Sequence, residues 1–289
     1  MPARFLLVQS LFFLALTSFC LQAAEPATIE EKTNTLLGSW KQKLDDEKFN
    51  YVVAAPFVIA GDADLGQIKS YRENTIVAAT NCLQKSLFQK KPAEPILILL
   101  FETEEPYKRL AKKWFGDETV PHYGYFRHDN IMVMNVGTGT GTLVHELTHA
   151  LIKPDFPNVP SWFNEGLASL YEQCSLGQDG TIKGHENWRL PALQKAIRAG
   201  NLRPFSELIA DPDFYNEDKV GLNYAQARYL MFYLQEHQLL AKYYTAFREV
   251  AKDDPTGIET LKKIIAPQSL AAFEKEWKAW VLKLRFNAR

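Results

Sequence analysis

Gly141-Thr142-Leu143-Val144-His145-Glu146-Leu147-Thr148-His149-Ala150-Leu151-Ile152 reads as an apolar helix that carries three residues foreign to a core. Leu143, Val144, Leu147, Ala150 and Leu151 make its buried sides, and Thr142, after a glycine-rich approach, is the expected N-cap. Side chains four positions apart on a helix stand on one face about a turn from each other, so His145 and His149 can converge on one ion. Neutral imidazole is a good zinc ligand. Glu146 lies one step round from His145, where it can reach a water on such an ion without ligating it. The bland alternative is a pair of hydrogen-bonded core histidines. Because His-Glu-x-x-His is short enough to arise by chance, its surroundings have to decide.

A zinc that does chemistry takes three protein ligands and keeps a fourth position open, so a further ligand is expected downstream. Trp162-Phe163-Asn164-Glu165-Gly166-Leu167-Ala168 supplies it. Pro160-Ser161 reads as a helix start, from which Trp162, Glu165, Ala168 and Ser169 share a face, so Glu165 points from a second helix toward the first. The two motifs together resemble the gluzincin zinc metallopeptidases, in which His-Glu-x-x-His is followed by a glutamate ligand. Trp-Phe-Asn-Glu-Gly-Leu-Ala is similar to the third-ligand segment of the zinc aminopeptidases. Glu165 stands 16 positions after His149, a spacing shorter than theirs that resembles the smaller peptidase-MA-like bacterial proteins. The resemblance implies one zinc ion held by His145, His149 and Glu165, with Glu146 as general base and a polypeptide substrate. It also implies a tyrosine or histidine that stabilises the oxyanion. Tyr224, in Leu222-Asn223-Tyr224-Ala225-Gln226-Ala227-Arg228, stands at a comparable distance beyond Glu165, and the open alternative is one more packed aromatic. The Gly-x-Met-Glu-Asn segment by which zinc aminopeptidases hold a free amino terminus is absent, which puts exopeptidase activity in doubt.

With 289 residues, 46% of them hydrophobic and 12% aromatic, the chain can fill one large domain or two lobes, which excludes disordered and fibrous classes. The net charge of -1, with acids and bases interspersed, excludes nucleic acid and anionic membrane as expected partners. Arg4, the apolar run from Phe5 to Leu21 and the exit Gln22-Ala23-Ala24-Glu25-Pro26 read as a secretory signal peptide cleaved near Ala23 or Ala24. Secreted or periplasmic location follows, with no stable membrane span once the signal is removed. Phe19 stands where a small residue should precede a lipidated Cys20. Cys82 and Cys174 would remain, free to pair if near each other.

In chain order, residues 28–46 read as an amphipathic helix, and 51–60 as strand with an edge or break at Pro56. A helix follows over 65–87. Ile96-Leu97-Ile98-Leu99-Leu100-Phe101 is a strand buried on both faces. Pro106 and Gly116 bracket the next helix. Residues 123–127 and 131–135 form a hairpin, which by the gluzincin resemblance is the substrate-binding edge. Gly137-Thr138-Gly139-Thr140-Gly141 has no lysine after it and reads as a flexible loop rather than a phosphate cradle. Helices are expected over 190–199, 204–210 and 222–236 and at the C-terminus. The fold class is therefore α+β: signal peptide 1–24, an α/β lobe with the edge hairpin at 25–141, and zinc-site helices with a mostly α-helical lobe at 142–289, zinc lying at the junction.

Thr142, Ser161, Asn164 and Ser169 are available to orient the imidazoles, and His185 is a further histidine to watch. The expected function is zinc-dependent peptide hydrolysis. The alternatives are a noncatalytic zinc-stabilised binding module and a zinc-dependent amidase or esterase.

Overall fold

A computed structural model describes residues 26–287, so the expected signal peptide lies outside the described residues. The chain opens with α1 (Ile29–Asp46), started by a reciprocal capping box between Thr28 and Glu31. The hairpin β1 (Asn50–Ala54) and β2 (Phe57–Gly61) turns at Ala55-Pro56, which fulfils the expected break. Then come α2 (Leu65–Tyr71) and α3 (Ala78–Ser86), which continue one another through a wide π turn at Arg72–Val77. β3 (Ile96–Phe101) is buried at every position and leads into α4 (Glu104–Phe115), which Gly116 ends in the left-handed conformation.

β4 (Gly124–Phe126) and β5 (Ile131–Asn135) complete a sheet in the order β1-β2-β3-β5-β4, with β2, β3 and β5 parallel and the two outer strands antiparallel. β5 is therefore an interior strand, paired with β3 on one side and β4 on the other. The expectation that the whole hairpin is an edge is corrected: only β4 is. Met132 and Val133 are buried core residues, so a proline at either would break the sheet before it tested any substrate contact.

The described chain then becomes rich in helices. α5 (Gly141–Asp155) and α6 (Ser161–Tyr171) are followed by the small hairpin β6 (Cys174–Leu176) and β7 (Ile182–Gly184). After it come α7 (Leu190–Arg198), α8 (Phe205–Ile209), α9 (Val220–Glu236), α10 (Leu240–Val250), α11 (Ile258–Ile264) and α12 (Leu270–Val281). The architecture is α+β, a sheet-containing region followed by a helix-rich one. Among the described residues no helix is long and apolar enough to cross a membrane.

Alternation along β3 divides the core between the two faces of the sheet. Leu97, Leu99 and Phe101 pack with Leu44, Tyr107 and Leu110 from α1 and α4. Ile98 and Leu100 face the other way, into a cluster that includes Ile68 and Leu83 and then α5, α6 and the helices after them. That cluster runs without interruption past residue 141, so α5 is buried between the sheet and the helical region. The helix begins after Thr140 rather than at the expected cap Thr142, and no side chain caps it.

Candidate metal centre

α5 and α6 bring three donors together. His145 and Glu165 are 7% and 6% exposed, and one ligand atom from each of His145, His149 and Glu165 lies within 4.8 Å of the others, a group that could hold a metal ion. The two imidazole Nε2 atoms are 3.0 Å apart, and Glu165 Oε2 is 3.3 Å from that of His145 and 3.5 Å from that of His149. Donors about 2.0–2.2 Å from a tetrahedral ion stand roughly 3.3 Å from one another, so the triangle has the size that a zinc-like cation requires. Glu165 Oε2 is buried and accepts no hydrogen bond. A buried carboxylate oxygen without a donor is costly, and a cation in the triangle would satisfy it.

The other ring nitrogens settle which atoms face the centre. His149 Nδ1 meets the amide oxygen of Asn164 at 2.9 Å, and because that oxygen only accepts, Nδ1 must carry the proton and Nε2 the lone pair. His145 Nδ1 lies 3.0 Å from Glu172 Oε1, close enough for an ion pair though out of line for a hydrogen bond. Glu172 also accepts from both terminal nitrogens of the Arg189 guanidinium. Tyr215 donates its hydroxyl to Glu165 Oε1 at 2.8 Å, which leaves Oε2 for the triangle. Of the orienting groups expected, Asn164 is thus in place. Among the described residues no hydrogen bond joins Thr142 or Ser169 to either imidazole, and Ser161 lies beside the Tyr215 hydroxyl instead. Glu172, Arg189 and Tyr215 escaped sequence reasoning.

Two glycines make this convergence possible. A side chain at Gly141 would put its Cβ 2.4 Å from the Glu172 carbonyl, so only glycine lets the start of α5 touch the end of α6. At Gly166 a Cβ would fall 3.0 Å from the Ala227 carbonyl, so the bare face beside Glu165 admits α9. That approach carries Tyr224 to the Glu165 carboxylate. Arg228, fully buried on the same helix, donates to the Ser169 carbonyl at 2.9 Å and to that of His185. The His185 ring itself bonds Ser175 Oγ at 2.9 Å, and the residue lies apart from the donor triangle.

Electrostatics differ sharply among the acids. Burial pushes the Glu146 carboxyl above its usual range, with His145, His149 and the backbone N–H of Phe126 pulling against it. Burial pushes Glu165 up as well, but the two histidines beside it hold it well below the carboxylate range. Burial presses His145 toward neutrality, yet Glu165 and Glu172 outweigh it and raise the imidazole to about 10. A cation entering the triangle therefore competes with a proton. Cys82 and Cys174 are both free thiols, so the pairing left open by the sequence is not formed.

The outer partners give a first prediction. Glu172→Gln should weaken metal binding by about 10–100-fold, the usual cost of an altered outer-shell partner, as read by competition with a chelator. Wild-type affinity in that variant would remove Glu172 from the support of His145.

Comparison with known families matches residues 140–256, less than half of the chain, to a family described as "Protein of unknown function (DUF1570)". The matched stretch contains all three donors and runs from the start of α5 to just beyond α10. No curated protein matches the chain. The family's description states no activity, so what stands is a buried donor set able to hold a metal.

Proposed function

We propose that the chain is a zinc-dependent hydrolase of polypeptides. The observation that carries this is the placement of Glu146: beside the donor triangle, outside it, half-buried, and bordering the clefts on both sides of it. A purely structural zinc takes four protein ligands and has no use for such a group. When bound, zinc supplies Lewis acidity toward a substrate carbonyl and lowers the pKa of a coordinated water. Glu146 accepts the water proton on its carboxylate and returns it to the departing nitrogen. The Phe126 N–H of the edge strand faces that carboxylate and favours its charged form, so the base and any chain lying along β4 are neighbours. Burial pushes the Tyr224 hydroxyl above its ordinary value, with Glu165 adding to the effect, so it stays protonated and able to donate to a developing oxyanion.

The donor set and a family description that states no activity support the coarser alternative more directly: a noncatalytic, metal-stabilised binding module asks nothing of Glu146, though it would need a fourth ligand beyond the triangle. A zinc amidase or esterase would use the same groups. Incubating zinc-loaded protein with a mixed peptide library and reading products by mass spectrometry separates these. Chelator-sensitive cleavage at amide bonds is expected, and intact peptides at full zinc loading would leave the binding module. Tyr224→Phe should lower turnover by about 10²-fold with zinc content unchanged. Unaltered turnover would assign Tyr224 to packing against Phe214, whose ring centroid is 5.4 Å away.

A further inference from the structure

Two clefts leave the donor triangle in different directions, one of about 770 Å³ and one of about 490 Å³, and His145, Glu146 and Tyr224 border both. β4 runs past the two of them, with Gly124 in the larger and Phe126 and Arg127 in the smaller. The Tyr123 carbonyl accepts from Asn135 at 3.0 Å and the Arg127 N–H donates to Ile131 at 2.8 Å. By the alternation of an antiparallel ladder, the backbone groups of Gly124 and Phe126 then point away from the sheet, the Phe126 N–H toward Glu146, which leaves the Gly124 groups and the Phe126 carbonyl for an added strand. A strand added at this edge would pass from one cleft across the triangle into the other.

The acids that could hold a free amino terminus already have roles at the centre. Of the acids in the clefts, Glu146 faces the Phe126 N–H, Glu165 takes Tyr215 and faces the histidines, and Glu172 takes Arg189. Each of these carboxylates faces the donor triangle or a cation, and none among the described residues lining the clefts is set apart for an α-ammonium. Arg127 is likewise paired, with Asp117 and Asp129.

The clefts differ in chemistry. Tyr123 and Trp188, 52% and 53% exposed, stand in the larger. The smaller holds Arg127, His128 and Lys153, with no acid beyond Glu146 and Glu165 at its metal end. Lys153 lies one turn beyond His149 on α5, with its ammonium 5.6 Å from the Phe126 ring centre and no acidic partner among the described residues.

We propose that the site takes extended polypeptide at internal bonds, with a bulky apolar side chain in the larger cleft and a carboxylate side chain beside Lys153 in the smaller, an inference that rests on the hydrolase reading. Its test uses peptides acetylated and amidated at their ends, with glutamate or lysine at one scanned position. Zinc-loaded protein should cut the blocked glutamate peptides internally, with the acid and a bulky apolar residue on opposite sides of the scissile bond. Glutamate should be preferred over lysine by about fivefold or more, and Lys153→Glu should invert that ratio. A free C-terminal carboxylate is the other source of the same charge. Cleavage that requires it, or that only trims ends, overturns the inference and leaves the hydrolase reading intact. Anisotropy of the labelled blocked peptides on Glu146→Gln protein reads the same preference without turnover. Equal binding of glutamate and lysine forms overturns the cleft assignment. Preference for glutamate that Lys153→Glu inverts, with no hydrolysis by wild type, keeps the cleft assignment and overturns the hydrolase reading.

Discussion

Glu146→Gln should lower peptide hydrolysis by about 10²–10⁴-fold while zinc content and melting temperature stay near wild type. Glutamine keeps the shape of the side chain and an oxygen that can face the Phe126 N–H. What it loses is the capacity to take a proton. Because Glu146 lies outside the donor triangle, the metal loses no ligand. Turnover and zinc content should thus separate in this variant, whereas a ligand variant loses both together. Turnover at the wild-type level on a chelator-sensitive substrate would transfer the base to another group. Zinc lost as readily as in a ligand variant would make Glu146 a donor.

The largest effect on stability is expected at Asp155, the last residue of α5, which is 1% exposed. Its Oδ1 accepts from the backbone of Gln89 at 3.0 Å and Lys90 at 2.7 Å, and its Oδ2 from Tyr244 at 2.6 Å and Arg248 at 2.8 Å. One carboxylate thus joins the end of the histidine-bearing helix to the loop before β3 and to α10. Asp155→Ala leaves two amides, a hydroxyl and a guanidinium without that partner, and should cost about 3–5 kcal/mol in a denaturant titration. Burial pushes the Asp155 carboxyl up, but Tyr244, Arg248 and the Lys90 amide pull it below the ordinary range. A carboxyl lowered in the folded state contributes stability that is fully present above its unfolded pKa of about 3.9 and is lost as the pH falls through the folded value. Wild type should therefore weaken below about pH 4 more steeply than Asp155→Asn. Parallel acid limbs, or a loss under about 1 kcal/mol on truncation to alanine, would make the network incidental.

The parts of this site that the sequence exposes are those whose geometry is local. His145 and His149 share a helix face by their spacing alone, and the glutamate of Asn164-Glu165-Gly166 follows from helix phase. Asn164 and Gly166 each prove to have a physical task, one on His149 Nδ1 and the other against Ala227. What stays hidden depends on how distant segments pack. Tyr215 reaches Glu165 across 50 positions, from a stretch outside regular helix whose composition is that of an ordinary polar loop. Arg189 meets Glu172 across 17 positions, through a hairpin too short and too polar to read as strands, although Asp179-Gly180 is the turn signal that marks it. Alternation reveals both strands of the hairpin at β4 and β5, but which of them pairs with β3 is a tertiary outcome. The pairing of Leu97 with Ile131 buries β5 and leaves β4 at the edge. The thiols of Cys82 and Cys174 likewise could not be placed from spacing alone.

Zinc competition against a chromophoric chelator tests the centre itself, with wild type and the His145→Ala, His149→Ala, Glu165→Ala and Glu146→Gln variants titrated side by side. One zinc per chain is expected for wild type and for Glu146→Gln. Each of the three ligand variants should lose more than the roughly 10–100-fold that an outer-shell change costs. Wild-type affinity in any one of those three, with the protein still folded, would contradict the assignment of His145, His149 and Glu165 as the ligands of one ion.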